Sequence, residues 1–281
     1  MDTRGHGAGR LPTPAPAAIA EAPVDKGLAR ADAALKDRFD IVAPDFKGPR
    51  AGNQLTKAEY DKVVKLYADI EAGKTDIKFN ASDSRDPAFK AGVMRDFGTL
   101  MQTPAGRELL QKMADNPNGN TLTVRVNRDA AGNPDTSNAY ADASDPSRRN
   151  EWGNGRGVPT TISYVPGKDV VVPGGTSSWL PLRNDVVLFH ELTHAMHISR
   201  GTMDDSIVST REGAAPIDVQ SRIRNSEYQA VGLGKYADAT IAENVYRAQR
   251  NTIKKGTLKG DGTMKKRTEY VVQVAAVAPP P

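Results

Sequence analysis

Residues 184 to 201 read NDVVLFHELTHAMHISRG and hold three of the chain's four histidines, with His190-Glu191-Leu192-Thr193-His194 at the centre. In an α-helix, residues four apart stand one above the other, so His190 and His194 leave the same face and can share one zinc ion through imidazole nitrogens. Glu191 then lies beside the ion, where its carboxylate can take a proton from metal-activated water. Local signals support the helix. Asn184 suits the N-cap, Asp185 the positive end, and Gly201 a left-handed C-terminal stop. Val187, Phe189, Leu192 and Met196 put apolar surface around the helix, which marks it as a buried central element.

The chain has no cysteine, which excludes disulfides, thiolate metal sites and thiol catalysis together. A metal must therefore be held by His, Glu or Asp, and two histidines leave zinc one protein ligand short of a catalytic site. The downstream glutamates are Glu212, Glu227, Glu243 and Glu269. In a helix expected over residues 219 to 231, Glu227 falls on the inward stripe of Val219, Ile223 and Ala230. An inward carboxylate needs a positive partner, which makes Glu227 the favoured third ligand. Glu212, in a turn-like stretch containing Gly and Pro, is the runner-up. Glu243 closes Thr240-Ile-Ala-Glu243, a capping box, and could also orient a ligand histidine from behind.

His197 lies on the same helical stripe as the two ligands but about 10 Å along the axis from His190. One tetrahedral ion cannot take all three rings, so a hydrogen-bonding or packing role is expected for it. Asp204-Asp205 follows the helix too closely to turn back, and reads as a pair of solvated loop acids. His6, in the N-terminal stretch, reads as incidental. Arg267-Thr-Glu-Tyr270 offers a guanidinium and a phenol for an oxyanion. A solvated arginine and a core-edge tyrosine fit those residues equally well.

Upstream, Leu55-Thr56-Lys57-Ala58-Glu59-Tyr60 has the form of a hydrophobic staple with a capping box, opening a helix to Gly73 that buries Val63, Val64, Leu66, Tyr67 and Ile70. Asp86-Pro87 opens a second helix through Met101, and Thr103-Pro104 a third through Met113. Residues 122 to 127 alternate as a half-buried strand. Residues 128 to 158 are polar and rich in Gly, Asn, Asp and Ser, and read as one long loop. Residues 160–165 and 168–172 read as two strands of a hairpin turned by Pro166-Gly167, one of them an exposed edge able to hold an extended peptide.

Residues 1 to 52 are rich in Ala, Pro and Gly with little apolar period, and read as a disordered tail. The folded domain is expected over residues 53 to 276, with 277 to 281 a flexible end. No apolar run approaches membrane-spanning length, and no segment resembles a Sec signal, so stable membrane insertion is not expected. A net charge of +4, spread except at Lys254-Lys255 and Lys265-Lys266-Arg267, fits a solvated surface better than a nucleic-acid footprint.

His190-Glu-Leu-Thr-His194, Glu227-Tyr-Gln-Ala-Val-Gly232 and Glu243-Asn-Val-Tyr-Arg247 together resemble the NleD/XopG-like family of type III secretion effector zinc metallopeptidases. The resemblance reaches upstream to Thr103-Pro-Ala-Gly-Arg-Glu-Leu-Leu110 and covers roughly residues 85 to 275. The layout is also similar to that of the clostridial neurotoxin light chains, in which a glutamate ligand follows the His-Glu-Leu-x-His helix by some thirty-odd residues and an Arg-x-x-Tyr pair stabilises the transition state. The resemblance implies an α+β, zincin-like metallopeptidase domain, helix-rich with a small sheet. It also implies one zinc ion on His190, His194 and Glu227, with Glu191, Arg267 and Tyr270 catalytic. Delivery through a type III apparatus into a host cell, a host protein substrate and a secretion chaperone are implied with it. The alternatives are an interaction effector that keeps zinc without catalysis, and a bacterial zinc peptidase that is never exported.

Overall fold

The computed structural model describes residues 25–83, 86–136, 139–169, 177–180, 182–206, 224–254, 258 and 263–269. The central element is the motif helix, here α5 (Asn184–Arg200), whose Val186, Leu188, Phe189, Leu192, Ala195 and Ile198 are fully buried. It ends as expected at Gly201, which adopts φ 68° and donates its N–H to the Ile198 carbonyl at 3.2 Å. Its start differs from expectation. Arg183 is the N-cap residue, and the Asn184 N–H is satisfied from outside the helix by Asp169 Oδ1 at 2.8 Å. Asp185 is buried and serves as a tie, accepting from Arg250 Nε at 2.7 Å and Tyr246 Oη at 2.6 Å.

One face of α5 rests on a four-stranded sheet built from β3 (Ile77–Phe79), β4 (Leu122–Val126), β5 (Tyr140–Ala143) and β6 (Thr160–Tyr164). The order is β3-β4-β6-β5, with the first three parallel and β5 antiparallel at the edge. This corrects two expectations. Strand β6 already has β4 on one side and β5 on the other, so it has no free side for residues 168 to 172 in a hairpin; residues 170 to 172 lie outside the described residues. The stretch 128–158 is not a bare loop: it holds β5 and a 3-10 turn, Pro146–Glu151. Tyr-Ala-Asp-Ala lacks the β-branched residues that mark a strand, and its place comes from pairing with β6.

The other helices form where local chemistry starts them. In α2 (Lys57–Glu71), Thr56 and Glu59 make the reciprocal capping box, and the five expected apolar residues are all buried. In α3 (Pro87–Leu100), Asp86 accepts from the Ala88 N–H, and in α4 (Pro104–Ala114), Thr103 accepts from the Gly106 N–H at 3.0 Å. Gly106 is required there, because a Cβ would come within 2.0 Å of the Leu100 carbonyl oxygen. The architecture is α+β, helix-rich with a small mixed sheet, and zincin-like in laying the motif helix beside an antiparallel edge strand.

The boundary of the folded region differs from the sequence reading. Residues 26 to 35 form α1 (Lys26–Leu35), capped by Asp25 and packed on α2. Ala31, Leu35 and Phe39 are buried in the main core, with Phe39 edge-on to Tyr60 at 5.7 Å. A two-residue pairing of β1 (Asp40–Ile41) with β2 (Gln54–Leu55) carries the chain on to α2. Packing therefore begins by residue 25 and not at 53; residues 1 to 24 and 270 to 281 lie outside the described residues. Alanine-rich α1 carries few large apolar residues, which hid it among the low-complexity sequence around it. Leu35→Ala is expected to lower the unfolding free energy by about 2–5 kcal/mol in urea titrations. An unchanged midpoint would remove α1 from the core.

Candidate active site

Three side chains converge from two helices. His190 and His194 project from one face of α5, and Glu227 projects from α6 (Asn225–Val231). His190 Nε2 lies 3.0 Å from His194 Nε2, and Glu227 Oε2 lies 3.2 Å from the first and 3.1 Å from the second. Ligands about 2.0–2.1 Å from a tetrahedral zinc ion are separated from one another by about 3.3 Å, so this triangle is close to one face of such a coordination shell. Among the described residues, these three form the one group of His, Asp and Glu side chains placed to hold an ion. The alternative ligand Glu212 lies outside the described residues.

The electrostatics favour a cation at this point. Burial disfavours the charged form of His190, but hydrogen bonds to Glu227 and Glu243 and the charge of Glu191 outweigh it and push its pKa up to about 10. Burial alone would raise Glu227, yet the His194 charge and hydrogen bonds from both histidines hold its carboxyl far below the usual range. The donor set, two imidazoles and a carboxylate, is one that zinc accepts.

Behind His190 stands a second layer. Its Nδ1 is 3.0 Å from Glu243 Oε2, at the start of α7 (Glu243–Arg250). Glu243 is 1% exposed and is held by two guanidiniums: Arg247 Nε at 2.6 Å and Arg267 Nη1 at 3.2 Å. Arg247 is itself fully buried and donates to the Trp179 and Lys265 carbonyls. Glu243 is therefore no capping residue: Ala242 is the N-cap of α7, and no side chain caps that helix. Burial raises the Glu243 carboxyl, while the His190 hydrogen bond and the charges of Arg267 and Arg247 bring it down to about 2.

Arg267 lies behind the histidine and not in the cleft. Its guanidinium stacks 4.2 Å from the centre of the Trp179 ring, and its backbone is tied to Asn244. Tyr270 lies outside the described residues. His197 points away from the triangle into hydrogen bonds: Nδ1 accepts from Thr202 Oγ1 at 2.9 Å and faces Gln229 Nε2 at 3.2 Å. Burial lowers its pKa to about 4, so the ring is neutral.

Asp204 and Asp205 are not free loop acids. Asp204 binds Lys235 Nζ at 2.6 Å, Tyr236 Oη and Ser206, and its N–H donates to Gln229 Oε1 at 3.2 Å. Asp205 pairs with Arg224, the residue before α6. These contacts and Gln229 dock the seven-residue α6 against the end of α5. The sequence reading placed this helix at 219 to 231; residues 219 to 223 lie outside the described residues.

The triangle opens into a cleft of about 330 Å³ that Glu191 also lines. It is lined by β5 with Arg149 and Trp152, and by Asp205, Arg224 and Met203, whose N–H donates to the Trp152 carbonyl at 3.0 Å. Glu191 is half-buried, and desolvation raises its carboxyl toward neutrality. Sequence reasoning missed Arg247, Gln229 and the β5 wall. The four-residue spacing of Glu243 and Arg247 was the one available signal, since it permits a helical ion pair.

A family model described as an effector protein, Peptidase_M91, matches residues 75 to 270. The chain belongs to this family. The matched residues include the whole triangle, Glu191, Glu243 and Arg267, whereas α1, β1, β2 and α2 precede them. The Peptidase_M91 chain is also similar to the solved Clostridium botulinum neurotoxin serotype F light chain, at 16% identity and a TM-score of 0.35. That comparison covers 77% of this chain and 55% of the light chain, so the chain spans about half the length of that relative. A comparison with curated proteins finds no match. No helix among the described residues is long and apolar enough to cross a membrane.

Replacing Glu243 by Gln leaves Arg247 and Arg267 buried without their counter-charge. Glu243→Gln is expected to destabilise the fold by roughly 3–5 kcal/mol and to weaken any metal binding at the triangle by about 10–100-fold in competition with a chromophoric chelator. The folded pKa near 2 lies below that of the unfolded chain. The stabilisation is thus complete above about pH 4.5 and lost as pH falls toward 2, and the variant's acid unfolding should lack that component.

Proposed function

We propose that this metallopeptidase-family effector is a zinc-dependent endopeptidase, delivered through a type III apparatus, that cleaves a host protein. The observation that carries the reading is the near-equilateral triangle of His190, His194 and Glu227 with Glu191 in the same cleft. Zinc held there would acidify a water molecule and polarise the scissile carbonyl. Glu191 takes the proton of the attacking water on its carboxylate and passes it to the departing amine. Its upward-shifted carboxyl suits both steps, because a base with a pKa nearer the working pH transfers protons in both directions.

His190 works from a fixed tautomer. Glu243, kept ionised by Arg247 and Arg267, accepts the Nδ1 proton, which leaves the Nε2 lone pair facing Glu227 and His194. We assign Arg267 to positioning through Glu243, in place of the direct oxyanion contact that the resemblance implied. The outer edge of β5 has no strand beside it among the described residues, and Glu191 takes a hydrogen bond from the Ala141 N–H there; we assign this edge to the substrate backbone, laid along it as an added strand. The effector family supports a protein target in a host; the type III route and a secretion chaperone belong to the same proposal.

Glu191→Gln should keep zinc and fold but lower cleavage by about 10²–10⁴-fold. The measurement compares new protein N-termini in host cells expressing the native chain and the variant, and equal sets would eliminate Glu191 as the base. Glu227→Ala should lose zinc on dialysis, read by elemental analysis. Full retention would exclude Glu227 as a ligand.

A further inference from the structure

The cleft wall formed by β5 and the 3-10 turn carries an exposed guanidinium that the proposed reaction does not use. Arg149 pairs through Nη2 with Asp142 of β5, and its remaining guanidinium N–H groups have no partner among the described residues. Its guanidinium carbon lies 5.5 Å from the centre of the Trp152 ring, which closes the cleft over Met203. Arg149 and Asp142 differ in exposure, at 60% and 24% for their side chains. Across the cleft Arg224 stands above Asp205 in the same way, at 54% and 39%.

Net charge does not decide what enters. The two rim pairs cancel, and Glu191 and Glu227 at the floor are balanced by a divalent ion. Exposure decides it. Asp142 is much less exposed than Arg149, and its Oδ1 is further occupied by the Ala143 N–H at 2.7 Å. A chain laid along the edge of β5 meets the Arg149 guanidinium first, while a lysine there would have to displace Arg149 to reach Asp142.

Resting on the peptidase reading of this cleft, we infer that Arg149, on the Trp152 platform, is a specificity residue that takes an anionic side chain of the substrate. The anion is an Asp or Glu carboxylate or a phosphorylated hydroxyl, both of which match the fork of donors on a guanidinium.

The test pans a random displayed-peptide library on the zinc-loaded full chain carrying Glu191→Gln, with Arg149→Glu and Asp142→Asn added in parallel. Asp and Glu should be enriched at one peptide position. Enrichment should pass to Lys and Arg in Arg149→Glu and strengthen in Asp142→Asn, where the competing acid is gone. Synthetic copies of the leading peptide should bind about tenfold more weakly when the acid becomes Asn, and should lose that difference in Arg149→Glu. A phosphoserine copy that binds tighter than Glu identifies phosphate as the source, and weaker binding identifies a carboxylate. Equal enrichment in native and Arg149→Glu backgrounds, preference for Lys, or no preferred charge at any position overturns the inference. Cleavage is measured separately on the native chain. Absence of zinc-dependent cleavage there counts against the peptidase reading, while the library still decides the role of Arg149.

Discussion

The fold hangs on a buried carboxylate. Glu243 sits at the first position of α7, almost without solvent, and reaches His190 on α5 with one oxygen and Arg247 with the other. An isolated buried charge costs several kcal/mol, so such a residue persists only where neighbours supply positive charge and donors from more than one side. Here they come from its own helix, from Arg267 in a later segment and from the motif helix. A second buried acid repeats the pattern nearby: Asp185 at the start of α5 meets Arg250 and Tyr246 of α7. Two carboxylates, one from each helix, thus fix the rotation and the register of α5 against α7. With no cysteine to cross-link them, these polar ties set the geometry that an apolar contact, indifferent to small rotations, would leave loose.

What could be read from the sequence is what local chemistry determines. Thr56 with Glu59, Asp86 with Pro87 and Thr103 with Pro104 each start a helix where expected, because capping depends on residues within one turn. The histidines needed only helical periodicity. What escaped was set by distant partners. Strand β5 exists because β6 offers it an edge, and nothing in Tyr-Ala-Asp-Ala announces it. Glu243 looked like a cap because Thr240 stood three residues before it, but the helix starts later and the side chain turns inward toward charges from three segments. Asp204 looked solvated because its partners, Lys235 and Tyr236, lie some thirty residues on.

The order of the sheet explains why the cleft is where it is. Strands β3, β4 and β6 run parallel, and the sheet ends at β3 on one side and at the antiparallel β5 on the other. Helix α5 crosses beside the β5 end, so that edge strand and the His190–His194 face of the helix line the same cleft. Glu191 accepts from the Ala141 N–H of β5, so the motif helix and the edge strand are joined by a side chain as well as by topology. The 3-10 turn after β5 then folds Arg149 back over the strand, where it pairs with Asp142.

Helix α6 shows how Glu227 is held in place beside the two histidines. Seven residues are too few for a helix to persist alone in water, since nucleation is costly and few intrahelical bonds repay it. Its stop at Gly232 and its ties through Gln229, Arg224 and Asn225 to residues 202 to 206 hold it against the end of α5. Those ties act on either side of Glu227 in the sequence, so the carboxylate is aimed from both ends. The remaining stabilisation comes from the triangle itself, where Glu227 meets two imidazoles. A cation that binds Glu227 and the histidines together therefore also binds the docked form of α6 in preference to the undocked one, and by mass action metal occupancy and order in this helix rise together.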